Sequence, residues 1–143
     1  MPYQFLDDVA TADIAFQATG RTLKEMFGAC ADATTNVMVE DLETIEPQLR
    51  RSIHLEHKDI EMLLFQFLQE LIYFKDAENL LLRMAHLNII KKNDIYQLKA
   101  EAKGEAIDPH KHRLSVDIKA VTFHRFKIEK TEDSFKATVV LDI

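Results

Sequence analysis

The last nine residues of the chain, Phe135 to Ile143, alternate as a β-strand does. Phe135, Ala137, Val139, Leu141 and Ile143 share one parity, while Lys136, Thr138 and Asp142 fall on the other, where Val140 is the only apolar residue. A strand patterned this way buries one face, so the fold must supply a core for a segment that runs to the final carboxylate. The same alternation sets the Asp142 side chain beside that carboxylate at a strand end. Two anionic oxygen groups in one place call for a cation or for water.

Two helices are predicted to supply the core. Thr22 and Glu25 have capping-box spacing, and Leu23, Met26, Phe27, Cys30, Ala31, Thr34, Val37 and Met38 keep helical spacing to about Val39. Asp59 caps a second helix whose stripe is Ile60, Leu63, Leu64, Phe67, Leu68, Leu71 and Ile72, with Phe74 near its end and Glu61, Gln66, Gln69 and Glu70 opposite. Burying each Leu, Ile or Phe of that stripe contributes roughly 1.5 to 3 kcal/mol, which makes it the central core element.

The remaining segments read as strands and turns. Tyr3 to Leu6 and Asp13 to Ala18 are short strands separated by a loop, Asp7 to Ala12. Gln48 to Glu56 alternates through Leu49, Arg51, Ile53 and Leu55. Leu80 to Ile90 and Ile95 to Lys103 form a hairpin about Lys91-Lys92-Asn93-Asp94. Gly104 to Arg113 is expected as a polar loop, and Val116 to Glu129 as one long strand bent near Val121, returning through Lys130 to Ser134 into the final strand. Strands in runs with two helices argue for an α+β fold, a mostly antiparallel sheet with both helices on one face.

A chain of 143 residues that is 47% hydrophobic, with three Gly and three Pro, fits a single domain over residues 1–143. Its formal charge of −6 disfavours direct RNA binding or attachment to an anionic membrane, partners held chiefly by Lys and Arg, and suits a protein partner or a cation. Cys30 is the only cysteine, a core residue of a reducing compartment, and no run reaches the ~18 apolar residues of a membrane span. A cytoplasmic location is expected.

No nucleophile elbow, Walker loop, dinucleotide fingerprint or zinc spacing is present, so the commonest catalytic patterns are missing. His110 and His112 lie in a loop beside Asp108, a spacing that admits a metal but does not require one. His124 shares parity with core residues on the strand that carries Lys119, and reads either as a hydrogen-bonded, half-buried imidazole or as part of a working surface. Asp13, Asp108 and Asp142 could converge with the terminal carboxylate, an all-oxygen set suited to Ca²⁺ or Mg²⁺. Spacing alone does not pair them.

Several short motifs follow one another along the chain: Tyr3 to Phe5 leading to Thr11-Ala12-Asp13, Thr22-Leu23 with Glu25, the Leu63 to Leu71 helix, and Gly104-Glu105 with Asp108 and His112. Lys119-Ala120-Val121-Thr122-Phe123-His124 and Val140-Leu141-Asp142-Ile143 complete the set. In that order and spacing they make the chain resemble the archease family over essentially its whole length. The resemblance implies a non-catalytic activator of the GTP-dependent RNA ligase that joins exons in tRNA splicing, one that promotes ligase guanylylation and multiple turnover and broadens nucleotide use. It implies metal ligation, most simply of Ca²⁺, by the Asp13 and Asp142 side chains and the Ile143 terminus. Asp108, His112, Lys119 and His124 become candidates for the partner surface. The chain departs from the family pattern at Ala10, where many members carry His. A general chaperone or adaptor for other nucleic-acid-processing proteins, and a metal-dependent hydrolase, are the alternative classes.

Overall fold

A computed structural model describes residues 2–7 and 13–143. The chain runs β1 (Tyr3–Leu6), β2 (Asp13–Gly20), α1 (Leu23–Met38), β3 (Leu49–His57), α2 (Ile60–Glu78), β4 (Leu80–Lys92), β5 (Ile95–Ala106), β6 (Ala120–Val121), β7 (Lys127–Lys130) and β8 (Phe135–Asp142), with one 3-10 turn at Leu42–Thr44. The expected loop Asp7 to Ala12, and Ala10 with it, lies outside the described residues apart from Asp7.

The α+β, antiparallel reading holds, but the strands divide between two sheets rather than forming one. The first has the order β1-β2-β8-β6, with β7 also paired to β8, and the second has the order β3-β5-β4. β8 is the centre of the first sheet. It pairs with β2 along its whole length, while its other edge takes β7 at one end and β6 at the other. A strand flanked on both edges can be covered on both faces, and Val140 is as fully buried as Val139 and Leu141. In the second sheet the alternation survives. Leu98, Ala100, Ala102 and Gly104 of β5 face inward and Gln97, Lys99, Glu101 and Lys103 outward.

Each helix touches both sheets, so the helix pair is the layer the sheets share. α1 packs on β1, β2 and β8 and on β4, and α2 packs on β3, β4 and β5 and on β6 and β7. The helices meet where the Phe27 and Phe67 rings lie 5.8 Å apart. Placement in a shared layer also explains why α1 buries Ala29, Ala33 and Thr35 in addition to its expected stripe. Among the described residues no helix is long and apolar enough to cross a membrane.

Local chemistry sets the element boundaries. Thr22 Oγ1 accepts from the Glu25 amide (3.1 Å), and the Glu25 carboxylate reaches back to the Arg21 amide (2.8 Å), one residue beyond the usual capping-box donor. Asp59 accepts from the Glu61 amide (2.9 Å), and α2 ends on Asn79 in the left-handed conformation (φ 59°). The β4–β5 hairpin turns through Asn93 and Asp94, both at positive φ (53° and 62°), the pairing that a two-residue type I′ turn requires. A bulge between Met84 and His86 shifts its register.

Two expectations are corrected. β5 continues to Ala106, so Gly104 and Glu105 are strand residues and not loop. The single strand expected from Val116 to Glu129 is two short strands, β6 and β7, separated by a turn in which Arg125 has φ 56°. Alternation across Val116 to Glu129 suggested continuity, but the backbone donors on either side of the turn find side-chain acceptors on α2 instead of a ladder partner.

Candidate functional site

The register of β2 on β8 pairs Asp13 directly with Asp142, the last pair of the ladder, and β6 places Ala120 opposite Asp142 on the other edge. Directly opposed residues project to the same side of a sheet with Cβ atoms roughly 5 Å apart, and like charges there are destabilising. Asp13, Asp142 and Ile143 are all half-buried, which thins the water available to screen them. Among the described residues, no ion pair or hydrogen bond engages either aspartate side chain. The Asp142 carbonyl accepts from the Lys119 amide (2.8 Å), so its main chain is fixed while its carboxylate is left for another partner. Asp13 also borders a cavity of about 300 Å³ lined by Phe5, Leu6, Ile14 and Val37. A larger concavity of about 480 Å³, beside His54 and His86, lies on the second sheet and brings no carboxylate pair together.

The donor set fits a hard cation in kind, because it is all oxygen. In number it is small. Among the described residues no group of three or more His, Cys, Asp or Glu side chains is placed to hold a metal. Asp108 therefore does not converge with Asp13 and Asp142, and further oxygens must come from the Ile143 main-chain carboxylate, water or a partner.

Asp108 and His112 instead organise their own loop. Exposed Asp108 accepts from the His110 amide (2.9 Å). His112 is 1% exposed, with Nδ1 accepting from the Asp108 amide (2.9 Å) and Nε2 3.0 Å from Glu105, which places the imidazole proton on Nε2. Glu105 accepts in addition from the Glu46 amide (2.7 Å) and from Lys111 (2.9 Å). These hydrogen bonds, led by that of the Glu46 amide and followed by that of Lys111, pull the Glu105 carboxyl down to about 2. The expectation that His112 faces a partner is thus corrected: it supports the loop from within.

Lys119 and His124 are both exposed, and His124 sits in the turn after β6 rather than among core residues. Their segment is held by α2. Lys75, buried in the stripe of that helix, donates to the Ile118 carbonyl (2.7 Å) and to Asp117 (2.6 Å). Gln69 accepts from the Val121 amide and Glu61 from the Ile128 amide, each at 2.8 Å. Burial presses the Lys75 ammonium toward neutrality, and the hydrogen bonds and charges of Asp117 and Asp76 more than reverse it, so its pKa is raised.

Sequence reasoning placed Glu61 and Gln69 on a wet face and did not single out Lys75. The spacing of Lys75 from Leu71 and Ile72 put a cation in the apolar stripe, and that was the one available sign of a buried partner.

The model of the Archease protein family (MTH1598/TM1083) matches residues 3–143. The chain is 41% identical over 123 residues to the protein archease of Thermococcus kodakarensis, covering 86% of each. The solution structure of Methanobacterium thermoautotrophicum protein 1598 superposes with a TM-score of 0.86 at 34% identity over 99% of both chains. The crystal structure of an archease, possible chaperone, from Thermotoga maritima shares the fold, with a TM-score of 0.58 at 21% identity over 94% of this chain and 93% of that one.

Proposed function

The chain belongs to the archease family, and from that premise we propose that it is a non-catalytic activator of the GTP-dependent RNA ligase of tRNA splicing, working through the edge where Asp13 faces Asp142. The observation that carries this reading is the Asp13–Asp142 pair itself, two carboxylates opposed at the end of a buried ladder with no described cation against them. Asp13, Asp142 and the Ile143 carboxylate would hold a divalent cation, with Ca²⁺ the simplest occupant for an all-oxygen set. When bound, such a cation supplies positive charge to phosphate oxygens.

The residues of the chain do the rest by position. β2, β8 and the α2-held segment 117–121 fix the backbone that carries the two carboxylates, so little backbone order is lost when they enter the ligase's nucleotide site. There they would orient GTP for attack by the ligase's own nucleophile, and on this reading guanylylation is faster, turnover repeats and nucleotide use widens. A −6 chain with a carboxylate edge meets a basic active-site mouth with favourable electrostatics. We read its location as cytoplasmic.

Ligase guanylylation followed with labelled GTP tests this. The protein accelerates formation of the ligase–GMP adduct, and folded Asp13→Asn does not. Equal acceleration of unrelated nucleic-acid enzymes would favour a general chaperone instead.

A further inference from the structure

The outer face of the β3-β5-β4 sheet carries polar side chains in register across its strands. Lys99 of β5 pairs with His54 of β3 on one edge and with Asn88 of β4 on the other, and Glu101 pairs in the same way with Ser52 and His86. Directly opposed residues project to one side of a sheet, so these side chains form a patch roughly 10 Å across and about 7 Å long. Lys24, from the first turn of α1, joins them around a concavity of about 480 Å³.

The bulge in β4 is what puts His86 there. Met84 pairs with Ala102, an inward residue, and strict alternation from Met84 would turn His86 inward as well. The extra residue between them sets His86 opposite Glu101 and sends Leu87 into the core.

The charge left over in this concavity is positive. Glu101, the carboxylate in its lining, is engaged by Arg50 (3.5 Å) and Lys103 (3.9 Å). The neighbouring acid on the same face of β3, Glu56, accepts from Gln97 (3.1 Å). Lys24, Lys99, His54 and His86 are all exposed, and among the described residues no hydrogen bond or ion pair engages their side chains. Two ammonium groups and two imidazoles converging on one hollow suit an oxyanion, to which Ser52 and Asn88 offer neutral donors. A metal does not fit, since among the described residues no group of three or more His, Cys, Asp or Glu is placed to hold one. A nucleic-acid strand is held by cations spread along its phosphates, whereas these gather at one point on a chain of net charge −6.

We infer that this concavity binds a single phosphomonoester group, with Lys99, Lys24, His54 and His86 as its donors. The site is on the second sheet, apart from the Asp13–Asp142 edge of the first, and does not depend on the ligase reading.

NMR titration of the whole protein at low salt tests this, with inorganic phosphate, AMP, and a short RNA with or without a 5′-phosphate. Phosphate and AMP should give saturable shifts centred on Ser52, His54, His86 and Lys99. Lys99→Gln and Lys24→Gln, surface changes whose remaining amide spectra report folding, should each weaken binding about tenfold, as loss of a charge-assisted hydrogen bond does. Lys92→Gln, at the far end of β4, should bind as the wild type does. A response to RNA only when it is 5′-phosphorylated would show the same group carried on a polymer, and no response to either RNA would confine the ligand to small molecules. RNA binding that ignores the terminal phosphate would overturn the inference. So would shifts that never saturate or that spread over lysines elsewhere, the mark of an adventitious ion only, and so would wild-type binding by Lys99→Gln.

Discussion

Asp13 and Asp142, far apart in the sequence, are direct cross-strand neighbours at the last pair of the β2–β8 ladder. In the absence of a cation their repulsion works against the fold. An opposed like-charge pair costs on the order of 0.2 to 1 kcal/mol, so Asp142→Asn should raise the metal-free Tm by about 1 to 4 °C. Calcium should raise the Tm of the wild type, by about 2.7 kcal/mol of stability at a hundred times Kd, and leave the variant unmoved. Thermal melts in chelator and in calcium check both. An equal calcium shift in the variant would remove the cation from this edge.

Gly104 of β5 pairs with Leu82 of β4. A Cβ there would meet the Leu81 carbonyl oxygen, a rigid backbone atom, well inside contact distance. Gly104→Ala should therefore cost more than about 3 kcal/mol, seen as a large fall in the urea midpoint. A variant within 1 kcal/mol of wild type would show that the two strands can part.

Glu105 gives the fold an acid limit. Its carboxyl is held at about 2, below the ordinary value of 4.5, so the folded state binds its proton more weakly than the unfolded chain does. The resulting stability is complete above about pH 4.5 and is lost as pH falls toward 2. Glu105→Gln should be less stable than wild type at pH 6, with the gap closing between pH 4.5 and 2. A gap constant in pH would contradict the charge-assisted role.

What was legible in the sequence was local. Thr22, Asp59 and the Asn93-Asp94 turn announce their elements because caps and turns depend on a few adjacent residues, and the helix stripes carry their own period. The parity of β8 correctly gave the face of Ala137, Val139 and Leu141, although not the burial of Val140, which depends on flanking strands. The break between β6 and β7 was hidden because its cause lies on α2, in Glu61, Gln69 and Lys75. For the same reason residue spacing could offer Asp13, Asp108 and Asp142 as a set but could not choose among them. The register between β2 and β8 sets Asp13 beside Asp142, a juxtaposition that no local pattern encodes.

Lys75 is the main tie between α2 and the segment beside Asp142. Lys75→Met keeps the volume of the stem and removes the donor from the Ile118 carbonyl, leaving a buried acceptor unpaired at a cost of about 1 to 3 kcal/mol. The urea midpoint should fall with the m-value unchanged. No change in the midpoint would mean that water replaces the ammonium freely.

The most direct measurement is multiple-turnover RNA ligation by the cognate GTP-dependent ligase, with no addition, with this protein untagged at its C-terminus, and with Asp142→Asn. The account predicts acceleration by the wild type and little or none by the folded variant. Undiminished acceleration by Asp142→Asn, or none by the wild type, would contradict it.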